Sequence, residues 1–140
     1  MEVVRSMGGY LNPGSDLFEM ALRSQIFVDK SGLIEKTNRC VRTLQRYICV
    51  SRPRRFGKSM GVDMLAAYYD RSVDTKELFQ ELKISSTKEY EKHLNQYDVL
   101  KINMQEFLSA TENIDQMPAS TGKHTKQPLG KPDTTISVCF

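Results

Sequence analysis

The residues best suited to chemistry lie in one run, Ser51-Arg52-Pro53-Arg54-Arg55-Phe56-Gly57-Lys58-Ser59-Met60. Glycine, lysine and serine in succession at the start of a helix form a recognisable phosphate site. The first backbone N–H groups of a helix have no intrahelical partner. The helix dipole adds partial positive charge at the same end. Together they suit the β-phosphate of a nucleotide. A glycine at position 57 lets backbone approach phosphate with no Cβ in the way. The Lys58 ammonium would reach the β- and γ-phosphates, and the Ser59 hydroxyl would ligate Mg²⁺ bridging their oxygens. Arg54, Arg55, Phe56 and Met60 complete the candidate contact set. The run departs from the phosphate-loop pattern G-x-x-x-x-G-K-[ST] at one place, where Arg52 stands for the first glycine.

Such a loop needs a strand before it and a helix after it. Residues 44–51 supply a short run with Tyr47, Ile48, Cys49 and Val50 at its centre, which predicts a buried parallel strand. After Gly57, Met60, Met64 and Ala67 fall on one line and Leu65, Tyr68 and Tyr69 widen it, which predicts a buried helix over residues 58–69. Upstream, the turn Asn12-Pro13-Gly14 precedes a short helix over residues 15–24. Asp29 or Ser31 opens another helix that carries Leu33 and Ile34 and ends near Asn38. Downstream, Asp74 with Glu77 resembles a capping box before a short helix with Leu78, Phe79 and Leu82 inward, and residues 86–89 repeat the device ahead of Tyr90 and Leu94. Residues 97–102 then read as a second strand. From Met117 onward Pro, Gly, Ser, Thr and Lys dominate, a composition that cannot offset its own ordering entropy. The expected division is therefore a folded part over residues 1–116 and a disordered, unrelated tail over residues 117–140.

Composition narrows the function classes. No stretch approaches the roughly 20 apolar residues of a membrane helix, and residues 1–9 lack a signal peptide's basic start and apolar run. A cytoplasmic protein with no membrane partner is expected. The three cysteines, Cys40, Cys49 and Cys139, show no C-x-x-C spacing, so neither a disulfide framework nor a zinc site is indicated. Cys49 reads as a small buried residue, and His93 and His124 as solvated polar side chains. The formal net charge of +3 is too small to argue for nucleic acid from bulk charge.

Two strings in a fixed order give a family resemblance. Phe27-Val28-Asp29-Lys30-Ser31-Gly32-Leu33-Ile34, followed by Arg52-Pro53-Arg54-Arg55-Phe56-Gly57-Lys58-Ser59, resembles the AAA-ATPase-like family, which pairs Y-V-D-K-[ST] with R-P-R-R-F-G-K-S. The likeness covers residues 12–116, including residues 18–23, Leu78-Phe79 and residues 97–107, and the family also lacks the first glycine. It implies an α/β fold: part of a P-loop (Walker A) nucleotide-binding core with a helical N-terminal segment. It implies ATP and Mg²⁺ as ligands, a bacterial source, and longer relatives with a C-terminal domain resembling PD-(D/E)XK nucleases, through which nucleic acid would be a partner. By match to the family loop, Gly57, Lys58 and Ser59 are the nucleotide contacts, and residues 27–30 enter the ATPase core close to the adenine. Hydrolysis in such domains needs a Walker B strand of four apolar residues ending in a carboxylate. The strand at residues 97–102 ends in Asn103 instead, and Asp115 and Asp133 lie in weakly patterned surroundings. The chain is therefore expected to be an N-terminal portion, truncated before Walker B and inefficient in hydrolysis. The catalytic residues and the oligomeric state stay open.

Blander readings stand beside these. Asp29 is a helix cap rather than a catalytic carboxylate. Phe56 is a packing residue rather than a base-stacking platform. Arg52, Arg54 and Arg55 form either a solvated basic loop or a contact for phosphate. The competing function classes are a basic module binding nucleic-acid backbone, whose affinity would fall steeply with salt, and a truncated remnant that does not fold alone.

Overall fold

A computed structural model describes residues 11–51, 53, 55–104 and 135–139. Its elements are α1 (Asp16–Leu22), α2 (Gly32–Cys40), α3 (Lys58–Tyr69), α4 (Lys76–Phe79), a 3₁₀ turn (Lys83–Ser86), α5 (Tyr90–His93), β1 (Asp98–Ile102) and β2 (Thr135–Cys139). The described helices precede a small two-stranded parallel sheet, a mixture compatible with the expected α/β class. No described helix is long and apolar enough to cross a membrane.

The helix α3 is the spine. Its apolar line buries Met64, Ala67 and Tyr68 completely, while Lys58 and Ser59 at its first turn stay exposed. Its second half meets an aromatic cluster. Phe18 of α1 stacks on Phe79 of α4 with centroids 5.0 Å apart, and the Tyr68 ring meets Phe79 edge-on at 5.5 Å. Such arrangements add to plain area burial. Ile34 of α2, Ile84 and Val99 of β1 close the same core.

Buried hydroxyls tie α2 to α3. The Tyr69 hydroxyl donates to Asn38 Oδ1 at 2.7 Å and lies 2.7 Å from Thr37 Oγ1. Asn38 Nδ2 donates to the Tyr68 hydroxyl at 3.1 Å, which donates in turn to the Tyr90 carbonyl at 2.7 Å. Burial pushes the Tyr68 hydroxyl up to about 12, and burial likewise raises Tyr69. Both remain protonated donors at neutral pH.

β1 pairs in parallel with β2, Val99 opposite Ile136. A parallel pair requires a long crossover, for which residues 103–134 are available. The other edge of β1 is taken by the Asn12-Pro13-Gly14 turn. Asn12 N–H donates to the Val99 carbonyl at 2.7 Å, and Val99 N–H donates to Asn12 Oδ1 at 2.8 Å. The buried Asp70 carboxylate accepts from Gly14 N–H at 2.8 Å and Ser72 N–H at 2.7 Å. Across the layers, the Lys101 ammonium of β1 pairs with the Asp63 carboxylate of α3.

Several expectations require correction. Residues 44–51 form no strand. Leu44 is 99% and Tyr47 83% exposed, and Cys49 is exposed rather than buried. A strand needs a neighbour to accept its backbone hydrogen bonds. Among the described residues, the Asn12 turn and β2 already occupy the two edges of β1. The tail is not wholly unstructured, since Thr135–Cys139 forms β2. Thr135, Ile136 and Val138 are β-branched and favour a pleated strand, a local signal that the composition of the longer stretch conceals. The remainder of residues 117–140, with His124, lies outside the described residues. His93 is buried, not solvated: its Nδ1 lies 2.7 Å from the Tyr97 hydroxyl, and burial holds its pKa below the ordinary value. The two capping boxes are not formed as such. Asp74 Oδ1 accepts from Lys76 N–H at 3.1 Å, while the Ser86 and Thr87 hydroxyls donate back to the Lys83 and Ile84 carbonyls.

Candidate phosphate-binding site

The site is built where α3 begins. Gly57 is the residue before the helix, at φ +74° and ψ +30°. That left-handed conformation costs an L-residue roughly 1–2 kcal/mol, which explains glycine there. Lys58 follows in right-handed helix. A left-handed residue followed by a right-handed one turns successive N–H groups into a shared concavity, an arrangement suited to anions. The first bond of the helix runs from Gly61 N–H to the Gly57 carbonyl at 3.0 Å. The N–H groups of Gly57, Lys58, Ser59 and Met60 precede it and have no partner among the described residues. These are the orphan donors expected at a helix start.

Each candidate residue has a definite place. Lys58 and Ser59 are exposed on the first turn, and Met60 is half-buried beside them. Arg55 is exposed with φ +67°, a second left-handed position two residues before Gly57. Phe56 is 61% exposed, so it is not the packing residue expected. Arg52 and Arg54 lie outside the described residues.

The Phe27 to Ser31 string comes to the same place. Asp29 Oδ1 accepts from Ser31 N–H at 2.8 Å, and Asp29 Oδ2 accepts from Lys83 N–H at 2.9 Å. Burial pushes the Asp29 carboxyl up, but hydrogen bonds from the Ser31 hydroxyl and from the Lys83 and Ser31 N–H groups outweigh it and hold the pKa below the ordinary value. The Ser31 hydroxyl, fully buried, accepts from Ile84 N–H at 3.1 Å. Asp29 thus ties the segment before α2 to the 3₁₀ turn and is not the helix cap expected: the N-cap position is Ser31, and no side chain caps the helix. Phe27 turns inward, its ring 6.3 Å from Phe18.

Between these two ties Lys30 points at the loop. Its Nζ donates to the Phe56 carbonyl at 2.7 Å. A Cβ built on Gly57 would overlap that ammonium. The backbone conformation of Gly57 is the reason for glycine, and a side chain there would also displace the Lys30 ammonium. Sequence reasoning placed residues 27–30 near the site and missed this role for Lys30. The only available signal was the co-occurrence of the two strings, because a contact spanning 26 residues leaves no trace in periodicity.

The arrangement offers an exposed helix start, a left-handed glycine, a hydroxyl and the Lys58 ammonium within one turn of chain, with the Lys30 ammonium brought to the loop from another segment. These fit a nucleotide's phosphates with Mg²⁺: unpaired amides for the anion, Lys58 for charge, Ser59 as an oxygen ligand. Comparison with known proteins points the same way. The model of the AAA-ATPase-like family, described as a predicted AAA-ATPase, matches residues 15–135. No curated protein matches the chain, and no solved structure does.

Proposed function

The chain belongs to the AAA-ATPase-like family, and from that premise we propose that it binds ATP with Mg²⁺ at the start of α3, as the phosphate loop of a P-loop core. The N–H groups of Gly57, Lys58 and Ser59 hold the β-phosphate. Lys58 neutralises the β- and γ-phosphates, and the Ser59 hydroxyl ligates Mg²⁺, which supplies charge neutralisation across the phosphate oxygens. Arg55 adds positive charge at the loop's outer edge. The observation that carries this reading is the left-handed Gly57 preceding a twelve-residue helix whose first side chains, Lys58 and Ser59, are exposed.

Turnover by this chain is slow in the same proposal. β1 runs into Asn103 and carries Lys101, which pairs with Asp63, the carboxylate one turn after Ser59. Neither position offers a free carboxylate for Mg²⁺ or for an attacking water. Titration with a fluorescent ATP analogue tests the binding claim. Lys58→Ala weakens affinity at least about tenfold, equivalent to roughly 1.4 kcal/mol. Equal affinity of wild type and Lys58→Ala removes the proposal.

A further inference from the structure

We infer that Lys30 is a positioning residue of the phosphate loop: it fixes the peptide between Phe56 and Gly57 so that the Gly57 amide faces the anion. The inference rests on the nucleotide-binding reading above and assigns a role within that site to a residue outside the loop.

A trans peptide is planar, so the Phe56 carbonyl and the Gly57 N–H point in opposite directions. Whatever holds the carbonyl also aims the amide. Lys30 Nζ holds it at 2.7 Å. Without that bond the unit is free to rotate, because glycine tolerates both hands of backbone. Rotation would turn the Gly57 N–H away from the concavity that it shares with Lys58 and Ser59.

The lysine is itself held. The Lys30 carbonyl accepts from Leu33 N–H at 2.9 Å, which starts α2. Asp29 and Ser31 on either side bond the N–H groups of Lys83 and Ile84. The side chain is thus delivered from a segment anchored at two points of the 3₁₀ turn, not from the loop that it restrains. Its ammonium also fills the space where a Gly57 Cβ would stand. A second positive charge at the loop adds to the field at the phosphate, but the bond to a carbonyl assigns Lys30 to the loop rather than to the nucleotide.

The test compares wild type, Lys30→Met, Lys30→Arg and Lys58→Ala by titration with fluorescent ATP and ADP analogues, with thermal melts alongside. Losing a charge-assisted hydrogen bond that orders the site should weaken binding roughly tenfold. Lys30→Met is expected to lose ATP and ADP affinity by the same factor, since both carry the β-phosphate that the Gly57 amide meets. Lys30→Arg, which keeps a donor within reach, is expected to recover part of the loss. Unchanged affinity in Lys30→Met, with Lys58→Ala impaired, overturns the inference and leaves the binding site standing. A loss confined to ATP makes Lys30 a ligand of the γ-phosphate and also overturns it. A loss accompanied by a collapsed melt and no recovery in Lys30→Arg assigns Lys30 to folding instead, against the inference. Absence of nucleotide binding by wild type overturns both.

Discussion

At the scale of single residues, Gly57 carries the heaviest constraint. Its φ of +74° disfavours every residue with a side chain on backbone grounds, and a methyl group there would meet the Lys30 ammonium and push it aside. Gly57→Ala is expected to cost about 1–2 kcal/mol from the left-handed backbone alone. In a chain of this size that lowers the melting midpoint by several degrees. Nucleotide affinity should fall more than stability does, because the methyl group also displaces Lys30 from the Phe56 carbonyl. A melt together with a titration of the same variant separates the two effects. Wild-type affinity in Gly57→Ala would show that the close approach at this glycine has no bearing on the ligand. Gly57, Lys58 and Ser59 were legible as a unit because their chemistry is local: three neighbouring types at a helix start. Lys30 was not legible, since its partner lies in another element.

At the scale of elements, the decisive contact is between α2 and α3. Thr37, Asn38, Tyr68 and Tyr69 form a buried polar chain in which each hydroxyl or amide answers another. Removing the Tyr69 hydroxyl takes from buried Asn38 Oδ1 its donor, while Thr37 keeps the Ile34 carbonyl and Tyr68 keeps the Tyr90 carbonyl. Tyr69→Phe is expected to destabilise the fold by about 1–3 kcal/mol, measured as a lower midpoint in urea. A smaller change would mean that Asn38 finds another donor. Helices were read from sequence with good fidelity. Residues 58–69 coincide with α3, and the short helix at residues 15–24 contains α1. The 3.6-residue period of Met60, Met64 and Ala67 is a property of the helix itself, independent of its surroundings. The strand at residues 44–51 misled for the opposite reason. An apolar, β-branched run says that a strand is favourable, but a strand exists only through its neighbours. Here Asn12 and β2 occupy the edges of β1. His93 and Cys49 misled in the same way, one drawn inward by Tyr97 and the other left on the surface run.

At the scale of the whole molecule, one aromatic cluster holds the elements together. Phe18, Tyr68 and Phe79 come from α1, α3 and α4, and all three are fully buried. Phe79→Ala is expected to cost about 3–5 kcal/mol, a large share of the 5–15 kcal/mol typical of native proteins. Loss of the cooperative transition in a chemical melt checks this, and a loss below about 1 kcal/mol would mean that the cluster refills the gap. The same cluster sits at one end of α3. Tyr68, Tyr69 and Asp70 are sunk in packing, whereas Lys58 and Ser59 stand in solvent. The spine resembles a mast stepped in the hull: its foot cannot shift without breaking the fold, and its head answers only to what ties it there. Chemistry can therefore be gained or lost at the masthead by small changes in rigging while the vessel keeps its shape.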